Sequence, residues 1–93
     1  MKTKTYTSIW DALEDTKEAA ANMRVRSALM IDIQRYVERH RLTQAEAAKR
    51  FGVTQPRLND LLRGRIHKFS VDALVNMLAA AGREVAIRVG KAA

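Results

Sequence analysis

The stretch "TQAEAAKRFGVTQPRLNDLLRG", residues 43 to 64, holds two short runs of helical apolar spacing separated by Gly52 and Val53 alone. Two short helices joined through a glycine turn describe a helix-turn-helix, and the residue types at each position meet its physical demands. Ala48 lies on the inner face of the first run, where a larger side chain would hold the helices apart. Gly52 sits at the turn, where a positive φ is needed and glycine alone adopts it at little cost. Val53 and Leu58 plug the angle between the helices, Leu61 and Leu62 continue the buried face of the second, and Phe51 anchors the end of the first.

The flanking segments are helical as well. Residues 8 to 15 read as a short helix capped by Ser8, and residues 17 to 40 as the longest one, with Leu29, Ile33, Tyr36 and Val37 on one face and Met23, Arg26 and Met30 near its edges. Thr43 and Glu46 form a capping box. Residues 70 to 81 start at Ser70 and stop at Gly82, with Leu74, Val75, Leu78 and Ala81 along one side. Residues 1 to 7 read as a flexible arm, and residues 8 to 93 as one helix-turn-helix domain.

The end of the chain follows another period. In "REVAIRVG", Val85, Ile87 and Val89 alternate with Glu84, Ala86 and Arg88, which is a strand pattern. A lone strand leaves its backbone edges unpaired. Residues 84 to 89 are therefore expected to pair either with the β-leaning arm at 3 to 9 or with another chain. The favoured partner is the same strand of a second copy, antiparallel across a two-fold axis.

Charge narrows the function. The formal net charge is +7, and residues 39 to 68 carry eight Lys or Arg against two acids, a net +6. Residues 8 to 22 run the other way, at a net −3. A cationic charge so concentrated points to a polyanionic partner. The absence of cysteine excludes disulfides, thiolate zinc sites and thiol nucleophiles. No run of 18 apolar residues exists, so no span of a membrane is expected, and a cytoplasmic location is the default. His40 and His67 lack partners at metal spacing, and no arrangement builds a nucleophile or general base. Neither an enzyme nor a cofactor is expected.

The second helix of the pair carries the chemistry. Thr54 is its N-cap, and Pro56 sits in the first turn, where a missing N–H loses no intrahelical bond. The tip presents Gln55, Pro56 and Arg57. In a major groove, Gln can bond adenine bidentately, Arg can fork onto guanine, and proline can meet a thymine methyl. Asn59 could reach a base or a phosphate. Asp60 either accepts from cytosine N4 or neutralises a nearby arginine. Gln44, Thr54, Arg63, Arg65 and Lys68 are the expected phosphate contacts.

The segment "LTQAEAAKRFGVTQPRLNDLLRG" resembles the helix-turn-helix of the Xre family, the lambda-repressor-like DNA-binding domains. With the long preceding helix, the "FSVDALVNMLAAAG" helix and the closing "REVAIRV", the chain is similar over roughly residues 8 to 90 to the small branch that includes HigA-like antitoxins. The resemblance implies a mostly α, five-helix domain with a short C-terminal strand, acting as a homodimer on a palindromic double-stranded DNA operator. It places Gln44, Thr54, Gln55, Arg57 and Asn59 where family members touch DNA. Pro56 and Asp60 depart from the residues many relatives carry there.

Three roles follow as expectations. The first is a sequence-specific dimeric repressor, with or without a toxin partner. The second is an antitoxin that also represses its own operon, gripping a basic toxin through the acidic residues 8 to 22. The third is an architectural DNA binder without sequence preference, which Gln55 and Arg57 at an exposed helix tip argue against.

Overall fold

The computed structural model describes residues 16–91. The expected helix at 8 to 15 and the arm at 1 to 7 lie outside the described residues. The Thr16 hydroxyl caps α1 (Lys17–Arg39) by accepting the Ala19 N–H at 3.0 Å. With no Gly or Pro for 23 residues, nothing interrupts α1 before Arg41, which takes a positive φ of 51° while the Leu42 N–H closes back onto the Val37 carbonyl. The helix buries Met30, Ile33, Tyr36 and Val37. Met30, expected near the edge, is inside, and Leu29, expected on the buried face, is half-buried.

Three short helices follow: α2 (Gln44–Phe51), α3 (Gln55–Leu62) and, after a single 3-10 turn at Ile66–Lys68, α4 (Val71–Ala80). All three open with the same local code. An apolar residue precedes a Thr or Ser cap, and another apolar residue follows five positions after the first: Leu42-Thr43 with Ala47, Val53-Thr54 with Leu58, Phe69-Ser70 with Leu74. Each cap oxygen accepts an N–H three residues on, from Glu46, Arg57 and Ala73. The spacing is that of a hydrophobic staple, which fixes the angle at which the chain enters a helix. Ala47, Leu58 and Leu74 are each fully buried, so every staple drives its helix toward the core. At Thr43 the capping box is complete, with the Glu46 carboxylate accepting the Thr43 N–H at 2.8 Å.

The core is one cluster to which all four helices contribute. Its largest enclosed side chains are Ile33 of α1, Phe51 of α2, Leu58 and Leu61 of α3, Phe69, and Leu74 and Leu78 of α4. Burying each contributes about 1.5–3 kcal/mol relative to exposure. α1 packs on α4, while α2 packs on both α3 and α4. Gly52 joins α2 to α3 at φ 70°, and the Val53 N–H returns to the Ala48 carbonyl at 2.9 Å. Ala48 itself is 4% exposed, as a close helix crossing requires. Two side chains of α1 reach the far end of the pair: Gln34 Nε2 donates to the Leu61 carbonyl and Arg26 Nη1 to the Ile66 carbonyl.

Gly82, at φ 77°, ends α4, and the chain then turns back beneath α1. Arg83 Nη2 meets both Asp32 oxygens at 2.8 and 3.0 Å. Residues 83–91 form neither helix nor ladder. The alternating pattern is present, but a ladder is a property of two strands, and no second strand lies among the described residues. Val85 packs partly against the core, whereas Ile87 and Val89 stand 81% and 90% exposed.

Candidate nucleic-acid interface

Helix α3 is held in the core by its inner face. Leu58 and Leu61 are fully enclosed, and the amino-terminal side chains Gln55 and Pro56 are exposed. Pro56 occupies the second helical position, where the helix has no use for an N–H. The Thr54 hydroxyl accepts from the Arg57 N–H at 3.3 Å, so this hydroxyl is the cap. Gln44 is exposed at the first position of α2, following its own Thr43 cap.

Arg57 does not stand free. Its Nη1 donates to the Lys68 carbonyl at 2.8 Å, and its guanidinium carbon lies 4.1 Å from the centre of the Phe69 ring. The side chain is half-buried as a result. Asn59, also half-buried, follows on the same helix.

Asp60 is the partner of two neighbouring cations. Its Oδ1 accepts from Arg65 Nη1 at 2.8 Å, and Lys68 Nζ stands 3.5 Å from its Oδ2. The carboxylate is only 19% exposed. Desolvation pushes its pKa upward, but the Lys68 charge and the Arg65 hydrogen bond outweigh that and hold it below the ordinary aspartate range. Two of the expected phosphate contacts, Arg65 and Lys68, are thus already gathered by one acid. Arg63, the C-cap of α3, is exposed. The basic side chains at this end also suit the negative end of the α3 dipole.

The side chains of α3 and of the turn after it make up a ridge. Gln55, Pro56 and Arg57 form its leading turn, Asn59 and Asp60 its middle, and Arg63, Arg65 and Lys68 its trailing edge. Phe69 supports this ridge from below and was not among the residues expected from the sequence. It is 1% exposed and underlies Arg57. Its place directly before the Ser70 cap, five residues before Leu74, was the available signal. The apolar tail residues Val85, Ile87 and Val89 belong to another region. Val85 and Ile87 border a groove lined also by Val25, Leu29, Val71 and Val75. Among the described residues no helix is long and apolar enough to cross a membrane, and no group of three or more His, Asp or Glu gathers to hold a metal ion.

Comparison with known proteins agrees with this fold. The sequence matches the helix-turn-helix domain family over residues 12–90. A solved structure described as an XRE-family transcriptional regulator superposes with a TM-score of 0.71 at 32% sequence identity, covering 78% of this chain and 82% of that one. No curated protein matches the sequence at a significant level. On the family match and the solved relative together, the chain belongs to the helix-turn-helix domain family, among its XRE-type transcriptional regulators.

Proposed function

We propose that the chain is a sequence-specific repressor that binds a palindromic operator as a homodimer. The observation that carries this reading is the ridge on α3: a capped helix end with Gln55 and Pro56 exposed, backed by Arg57, Arg63, Arg65 and Lys68. In the complex, the amino end of α3 enters the major groove. Gln55, Pro56, Arg57 and Asn59 meet base edges, and Gln44, Thr54, Arg63, Arg65 and Lys68 meet phosphates. Asp60 orients Arg65 and Lys68 rather than reading a base, because both its oxygens are engaged. The dimer forms through Val85, Ile87 and Val89, each tail supplying the strand that the other lacks. The exposure of Ile87 and Val89 supports this, since two bare β-branched side chains on an alternating segment gain most from a paired strand. Two copies of α3 then reach major grooves roughly 34 Å apart. Such a role belongs in the cytoplasm.

A selection of duplexes from a random pool, followed by fluorescence anisotropy against salt, tests the proposal. Enrichment of a two-fold symmetric site, with log affinity falling steeply against log salt, is the expected result. Equal binding to every duplex would point to architectural binding instead.

A second reading is favoured by the segregation of charge. Residues 8 to 22 carry a net −3 and residues 39 to 68 a net +6, which suits an antitoxin that grips a basic toxin with one end and DNA with the other. Co-expression with the adjacent reading frame and pull-down decides it. Loss of capture on deleting residues 1–22, with operator binding retained, is expected. Capture that survives the deletion refutes this assignment.

A further inference from the structure

We infer that Phe69, together with the Lys68 carbonyl, is a positioning element that presents Arg57 to DNA in a fixed plane. This rests on the reading of α3 as the groove-entering helix. An arginine in the first turn of an exposed helix is ordinarily a swinging side chain. Here it is held from two directions: the Phe69 ring lies 4.1 Å from the guanidinium carbon, and the Lys68 carbonyl accepts from Nη1 at 2.8 Å. In this inference the contact with the ring face sets the plane of the guanidinium, and the carbonyl sets its rotation within that plane.

The platform is itself built into the core. Phe69 is 1% exposed, wedged into the core ahead of α4. The Lys68 carbonyl sits at the close of the 3-10 turn, where the Lys68 and Phe69 N–H groups donate to the Arg65 and Ile66 carbonyls. Asp60 ties the turn back to α3 through Arg65 and Lys68. A guanidinium has five N–H donors. With Nη1 engaged, the edge formed by Nε and Nη2 makes no hydrogen bond among the described residues. That edge is a parallel two-donor fork of the kind that meets O6 and N7 of guanine. The same contacts that draw Arg57 toward the body therefore leave its reading edge intact and remove much of the side-chain freedom that docking would otherwise freeze.

The test is a double-mutant cycle on specificity. The selected duplex and its scrambled counterpart are titrated with wild type, Phe69→Leu, Arg57→Ala and the double variant, each checked for folding by circular dichroism. Arg57→Ala is expected to lower the ratio of the two affinities about tenfold or more. Phe69→Leu, which keeps an apolar core residue but removes the ring, is expected to lower it by about two- to tenfold. In the Arg57→Ala background it should add nothing. Arg57→Lys, which keeps the charge but loses the plane and fork, should resemble Arg57→Ala, and it serves if Phe69→Leu does not fold. In the free wild-type protein, the Arg57 side-chain protons should show an upfield ring-current shift in NMR spectra. A specificity ratio indifferent to Phe69→Leu, an equal loss in both backgrounds, full specificity in Arg57→Lys, or an unshifted Arg57 overturns the inference. A random-pool selection that enriches no sequence overturns the DNA-reading proposal itself, and this inference with it.

Discussion

The helix pair α2–α3 and the tail after Gly82 follow equally regular sequence patterns, yet among the described residues only the pair is closed. Each helix of the pair forms its backbone hydrogen bonds locally and needs neighbours only to cover one face. Leu58 and Leu61 find that cover in the same core as Phe51 and Phe69. The tail has the alternation of a strand but no second backbone to bond among the described residues, and its Ile87 and Val89 remain bare. A period of 3.6 is satisfied by one segment, whereas a period of 2 is satisfied only by two. On the proposed function the two regions have different tasks: one displays chemistry on a finished scaffold, and the other offers an apolar surface to a second copy.

The contrast breaks most sharply at Leu58. Leu58→Ala empties the fully enclosed centre of the pair and should cost about 2–5 kcal/mol, read as a lowered urea midpoint. A loss below about 0.5 kcal/mol would mean that the pair is less closed than it looks, since such small values belong to surface sites. On the tail, Ile87→Asp should leave the monomer's fold intact but abolish self-association, seen by analytical ultracentrifugation, and lower operator affinity at least about tenfold. A variant that still dimerises would remove the tail from the interface. Gly52→Ala probes the turn between these extremes. The added Cβ would meet Ala80 Cβ at an ordinary 3.6 Å, so the penalty is the φ of 70° alone, about 1–2 kcal/mol in thermal denaturation.

The smallest effect is acid sensitivity. The folded pKa of Asp60 is depressed, so its contribution to stability is fully present above the unfolded value and is lost as pH falls through the folded one. Glu46 behaves alike: hydrogen bonds from the Thr43 N–H and hydroxyl hold its carboxylate below the usual range. The midpoint of denaturation should therefore decline below about pH 4.5, and the decline should be shallower in a Glu46→Gln, Asp60→Asn variant. An unchanged slope in that variant would assign the acid sensitivity to other carboxylates.

Much of the fold was legible because its signals are local. Thr43, Thr54 and Ser70 announce helix starts by hydrogen-bonding chemistry that reaches only three residues, and Gly52 and Gly82 announce stops by the φ they tolerate. The exposed tip at Gln55 and Pro56 was legible for the same reason: burial of Leu58 and Leu61 leaves the opposite face outside. Met30 and Leu29 show the limit. Periodicity places a stripe on a helix to within about a residue, and the neighbours decide which edge of the stripe is covered.

The amino-acid sequence alone determined the four described helices, their caps and the basic ridge, since each depends on residues within about one turn of each other. Only the tertiary structure decided that Arg57 stacks on Phe69 and that Asp60 gathers Arg65 and Lys68. Those partners meet because the 3-10 turn folds back alongside α3. No spacing rule predicts that approach, which is set by how Ile66 and Phe69 bury themselves against the core.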